Sequence, residues 1–154
     1  MKTKILLFLM AIAASSASAR IGDTPEQCQQ RYGAPYKSQA PWTYYKKSGF
    51  ILMVSFYEGK VDCISYRKVE ENALGKGVDI SDNEIDQLLK LNAGQATWKK
   101  RRVISMDREW QTEDDSLSAF YKTFDNFLSI ATKGFYDRAN VAKKAKENKA
   151  LQGF

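Results

Sequence analysis

Phe50-Ile51-Leu52-Met53-Val54-Ser55-Phe56-Tyr57-Glu58-Gly59-Lys60-Val61 is the stretch that decides the fold. Up to Tyr57 the run is aromatic and β-branched, and Phe50, Leu52, Val54 and Phe56 share one face of a strand. Glu58-Gly59 is a tight hairpin connection, so Val61–Lys68 returns alongside. Toward the N-terminus, Lys47-Ser48-Gly49 reads as a turn and Trp42–Tyr45 as a short aromatic strand. The local pattern is a three-strand meander.

A helix precedes the meander. Thr24-Pro25-Glu26-Gln27 is a capping box with Pro at the first helical position. The helix it starts runs from Pro25 to about Tyr32 and stops at Gly33, with Pro35 beyond. The same layout returns later. Ser81-Asp82-Asn83-Glu84 is a second capping box, Ile80 and Ile85 can staple it, and the helix runs from Asp82 to about Asn92. Its stripe of Ile85, Leu88 and Leu89 has helical spacing. Strands are predicted at Arg108–Thr112, Leu117–Lys122 and Phe127–Thr132, with turns at Glu113–Ser116 and Asp125-Asn126. Ser55-Phe56-Tyr57 corresponds to Ala119-Phe120-Tyr121. The predicted class is therefore α+β, with two tandem helix-plus-three-strand meander repeats, about 21–68 and 80–132, in one domain over 20–136. Each half is too small to bury a core alone, so the sheets are expected to cooperate or join edge to edge. Val69–Asp79, with Gly75-Lys76-Gly77 at its centre, reads as a flexible connector. Gln95–Met106 has no counterpart of equal length and is a candidate extra strand. Residues 137–154 read as a basic C-terminal helix or tail.

Residues 1–19 read as a secretory signal peptide. Lys2 and Lys4 form a positive start, Ile5–Ala14 is an uncharged apolar run, and Ala17-Ser18-Ala19 fits a cleavage site before Arg20. The apolar run is about half the roughly 20 residues a membrane span needs. The expected destination is the periplasm or the exterior, with no transmembrane segment. Cleavage leaves 135 of the 154 residues, with 22 basic and 18 acidic side chains. In an exported chain an even cysteine count favours a disulfide, here Cys28 to Cys63. Closing that loop of about 35 residues is worth about 3–4 kcal/mol by the chain-entropy argument. The alternative is two buried thiols.

The run Gly22-Asp23-Thr24, the helix, Tyr32-Gly33-Ala34-Pro35, and then Phe56-Tyr57-Glu58-Gly59-Lys60-Val61 resembles the SmpA/OmlA-type outer-membrane-assembly lipoproteins. These are similar in fold to the beta-lactamase inhibitor protein, which holds two such units in tandem. The resemblance covers residues 21–68; the second half matches in layout through Ile80-Ser81-Asp82 and Phe120-Tyr121. It implies a paired helix-plus-meander fold and an envelope or protein-binding role. The lipoproteins carry an acylated cysteine at the mature N-terminus, whereas Arg20 stands there in this chain. The overall pattern also resembles small exported bacterial proteins of uncharacterised function.

The chain has no histidine, which removes Ser-His-Asp and Cys-His catalysis and most zinc sites. No phosphate-binding, dinucleotide or calcium loop is present, and no cofactor is expected. Glu113, Asp114 and Asp115 are the candidates for a carboxylate-based hydrolase, read more simply as a solvated turn. The basic run Lys99-Lys100-Arg101-Arg102 beside Trp98 is a candidate contact for an acidic protein or an anionic envelope component, or else a charged strand edge. Nucleic acid is not expected, since no recognition motif is present. Trp42, Tyr44 and Trp110 complete the candidate partner-binding residues, as members of an aromatic sheet face. The expected function is an exported noncatalytic binding module, with an envelope-maintenance or assembly accessory as the alternative.

Overall fold

Thr24 and Ser81 start the first two helices of the structure, a computed structural model that describes residues 20–101 and 106–151. Helix α1 spans Pro25–Tyr32 and α2 spans Asp82–Asn92, and both capping boxes are closed in both directions. Gln27 N–H donates to Thr24 Oγ1 at 3.4 Å, and Thr24 N–H to Gln27 Oε1 at 2.8 Å. Each box satisfies amides that a helix start otherwise leaves without partners.

The strands are β1 (Lys37–Gln39), β2 (Trp42–Lys47), β3 (Phe50–Tyr57), β4 (Lys60–Lys68), β5 (Trp98–Arg101), β6 (Arg108–Thr112), β7 (Leu117–Lys122) and β8 (Phe127–Thr132). Helix α3 (Lys133–Leu151) follows. The turn after β2 places Ser48 and Gly49 at φ 49° and 79°, and the turn after β3 places Glu58 and Gly59 at 51° and 73°. Positive φ at both central residues matches the twist of the flanking strands, and glycine makes the second position cheap.

All eight strands form one antiparallel sheet in the order β1-β2-β3-β4-β8-β7-β6-β5. The class is α+β. The chain order is one helix and four antiparallel strands, then one helix and four more, then α3. The three-strand expectation is thus corrected to four on each side of α2. The additions are β1 and β5, both short edge strands. Residues Val69–Asp79 are not a loose connector. Glu71 bridges to Gly77, Asn72 Oδ1 accepts from Leu74 and Lys76 N–H, and Asp79 accepts from the Tyr121 hydroxyl.

One face of the sheet carries the core. Tyr45, Leu52, Val54, Val61, Ile64, Tyr66, Ala119, Tyr121, Leu128 and Ile130 are buried there against Cys28 and Tyr32 of α1 and Ile85 and Leu89 of α2. Ile64 and Ile130 stand opposite each other across β4 and β8, where the two strand sets meet. Burying an aliphatic side chain of this size stabilises by about 1.5–3 kcal/mol. Tyr66 is held in the core by Asn92, whose Nδ2 donates to its hydroxyl at 3.0 Å, and burial pushes its phenol pKa up.

Candidate binding face

The face of the sheet away from α1 and α2 is built by strand alternation and one bulge. Pairing steps from Ser55–Cys63 to Phe56–Val61, so Asp62 is an extra residue in β4. The bulge turns Asp62 and Cys63 to the same side, and Val61 and Ile64 both remain in the core. Registers then align the outer side chains in rows across the sheet. One row reads Trp42, Ser55, Cys63, Ala131, Ser118, Gln111 and Lys99. The next reads Tyr44, Met53, Ser65, Ser129, Phe120, Glu109 and Arg101. A third holds Lys46, Ile51, Arg67, Phe127 and Lys122.

Helix α3 starts over the first row, and its Tyr136 reaches the second row beside Phe120 and Glu109. Thr132 Oγ1, at the end of β8, accepts from Phe135 N–H at 3.1 Å and starts the helix. Phe135 packs on Trp42 with ring centroids 6.1 Å apart. Arg138 pairs with the buried Asp62 and stacks on Tyr57 at 3.6 Å. From Ala139 to Ala150 every residue of α3 is exposed. Apart from Tyr136, no residue of α3 borders the two clefts of the second and third rows.

On these open rows Ile51, Met53, Phe120 and Phe127 are half-buried. Ser65 and Ser129 bond to each other at 3.0 Å between them. Two clefts indent the face. One, of 340 Å³, is bounded by Arg101, Glu109, Ser118, Phe120 and Tyr136. The other, of 240 Å³, is bounded by Met53, Ser65, Arg67, Lys76, Asp125 and Phe127. The open rows carry the bases Lys46, Arg67, Arg101 and Lys122, Lys99 ends the first row, and Lys37 of β1 joins them beside Tyr44. Their acids are Glu109 and the Arg138-paired Asp62. Arg67 reaches Glu71 at 2.5 Å, Lys99 Glu113 at 3.1 Å and Lys122 Asp107 at 3.8 Å. Arg67 Nε is a buried donor with no acceptor.

Of the residues expected to meet a partner, Trp42, Tyr44, Lys99 and Arg101 share this face, with Trp42 beneath Phe135. Trp98, Lys100 and Trp110 are on the other. Trp110 is buried in the core, and Trp98 packs against it while its Nε1–H donates to Leu89 O at 2.7 Å. The period-2 alternation of β5 divides the basic run between faces. Arg102 lies outside the described residues, as does the expected signal peptide at 1–19. Sequence reasoning did not single out Met53, Phe120, Phe127 or Phe135. The first three alternate with core positions on their own strands, so each was visible as an outward apolar residue. That they share one face of one sheet was not.

The expected Cys28–Cys63 bridge is not made: both cysteines are free and buried. Cys28 faces the core, while the bulge turns Cys63 to the opposite side, where its thiol meets Ser129 at 3.5 Å. The sheet lies between them. Burial pushes the Cys28 pKa up to about 12 and that of Cys63 up to about 11. Thiolates are the reactive form, so alkylation near pH 8 should label neither cysteine until the protein is unfolded. Two thiols should then react without added reductant. If none does, the cysteines are bridged.

Asp114 serves its own turn. Its Oδ1 accepts from Thr112 Oγ1 at 2.7 Å, Ser116 Oγ at 2.7 Å and Ser116 N–H at 3.1 Å, and these bonds lower its pKa to about 2. A carboxylate held this far down is a poor proton acceptor near neutrality. Among the described residues no group of His, Cys, Asp and Glu side chains could hold a metal, and no helix is long and apolar enough to cross a membrane.

No protein-family model and no curated protein matches the chain. Among solved structures, a cysteine-rich secretory protein from Staphylococcus aureus subsp. aureus Mu50 is similar at a TM-score of 0.38 and 11% identity. The match covers 75% of this chain and 44% of that one, so the chain spans less than half of that protein's length.

Proposed function

We propose that this protein is an exported, noncatalytic interaction module that binds a protein partner through the open rows of its sheet. The observation that carries this reading is two half-buried apolar pairs on one sheet face, Ile51 with Met53 on β3 and Phe120 with Phe127 on β7 and β8, set on either side of Ser65, Arg67 and Ser129. Apolar side chains gathered on one sheet face and rimmed by polar residues mark interaction sites. Export rests on the leader-like sequence of residues 1–19. The SmpA/OmlA-type resemblance of residues 21–68 supports an origin as two tandem helix-plus-meander units. On that reading α1 with β1–β4 is one unit and α2 with β5–β8 the other, joined through β4 and β8.

The test is a photo-crosslinking residue placed at Met53 or at Phe127, with Gln30 on the exposed side of α1 as control. In the native compartment, positions 53 and 127 should give one reproducible protein adduct and position 30 none. Equal adducts from all three, or none from any, would overturn the assignment.

A further inference from the structure

The chemistry of the open rows narrows the kind of partner, and this step rests on the reading above. We propose that the occupant is an acidic amphipathic helix of a partner protein, lying beside α3 across the strands. Charge complementarity is the first support. The bases of the strip and its rim are Lys37, Lys46, Arg67, Lys99, Arg101 and Lys122. Arg67, Lys99 and Lys122 already reach Glu71, Glu113 and Asp107, so Lys37, Lys46 and Arg101 are the bases here without an ion pair among the described residues, and Glu109 stands beside Arg101. Arg67 brings a buried donor, Nε, without an acceptor, at the edge of a cleft.

Helix α3 supplies the second support. Its start shows how this face accepts a helix, with an aromatic residue on Trp42 and a charged one on Asp62. Beyond Arg138 it leaves the sheet and exposes Lys143, Lys144, Lys146 and Lys149 against Glu147. The pair Lys143–Glu147 at 3.9 Å is the i,i+4 ion pair along this exposed stretch. A helix polar all round needs many such pairs or a covering partner to stay formed. An acidic helix in the adjacent strip would meet Lys46, Arg67 and Lys122 of the third row along one side. From β2 to β6 the strip crosses five strand spacings, about 24 Å, which matches about 16 helical residues.

The probe is a synthetic peptide of roughly 18 residues, with leucines on one helical face and glutamates elsewhere. The same peptide with lysines for glutamates and vesicles of anionic phospholipid complete the set. The glutamate peptide should bind the purified protein, and the lysine peptide should bind at least about tenfold more weakly. Phe127→Asp and the double variant Arg67→Glu/Lys122→Glu should each weaken the glutamate peptide about tenfold, while Lys90→Glu on α2 leaves it unchanged. Lys46→Glu sits at an exposed position and should weaken binding severalfold even if the double variant fails to fold. Equal binding of both peptides, binding of vesicles alone, or indifference to Phe127→Asp and Lys46→Glu would overturn the inference. Crosslinks from Met53 and Phe127 without glutamate-peptide binding would sink the acidic helix alone. Absence of both would sink the binding face as well.

Discussion

Ile130→Ala should destabilise the protein by about 3–4 kcal/mol, the upper part of the range for emptying a fully buried aliphatic site. Ile130 is 0% exposed and faces Ile64 across β4 and β8, also 0% exposed, and Ala119 across β7. Strands on both sides and the helices above hold this site, so the surroundings have little freedom to collapse into the gap. Ile130→Val removes one methyl group and should cost about 1 kcal/mol. The measurement is urea unfolding followed by tryptophan fluorescence. One transition should move to lower urea with its slope unchanged, because the β4–β8 seam ties both strand sets into one cooperative unit. A loss below about 1 kcal/mol for Ile130→Ala would show that the seam is not part of the core. Two separated transitions would show that the halves unfold independently.

The second large effect is at the α3 latch. Arg138→Ala leaves Asp62 in its bulge without a counter-charge, and Asp62 Oδ1 already has no partner. Stranding one member of a buried ion pair costs about 3–5 kcal/mol. Asp62 is 10% exposed but Arg138 is 39% exposed, so solvent screens part of the interaction. The expected loss is about 2 kcal/mol. Adding Asp62→Asn should recover part of it, since a neutral amide is cheaper to leave buried. The stack of Arg138 on Tyr57 goes as well, and Phe135 loses the residue that pins its helix beside Trp42. Acrylamide quenching of Trp42, isolated in Trp98→Phe/Trp110→Phe protein, should therefore rise in Arg138→Ala. Unchanged stability together with unchanged quenching would mean that α3 is held by its aromatic contacts alone.

Both helix starts and both hairpin turns were legible because their determinants are local. A capping box needs only the residues at its two ends, and a positive-φ turn only its central pair. The inward face of β3 was legible for a similar reason, since alternation is a property of one strand. Strands β1 and β5 were harder. Lys37–Gln39 has no apolar alternation, and its three residues are held by pairing to β2 and by Lys37 over the Tyr44 ring. β5 was foreseen as an extra strand through Trp98, but its basic residues could not be divided between faces without its register to β6. The candidate site was legible in part. Tyr44, Lys99 and Arg101 were named, while Met53, Phe120 and Phe127 were not, because they come from three strands whose order in the sheet is a tertiary fact.

By itself, the sequence determined where helices begin, where hairpins turn and which side of each strong strand is apolar, because these preferences act over a few residues. Only the tertiary structure decided that β4 and β8 are neighbours, that the Asp62 bulge carries Cys63 away from Cys28, and that α3 starts over the first row. Each of those depends on residues far apart in the chain. Their energies exist only once the sheet has closed around them.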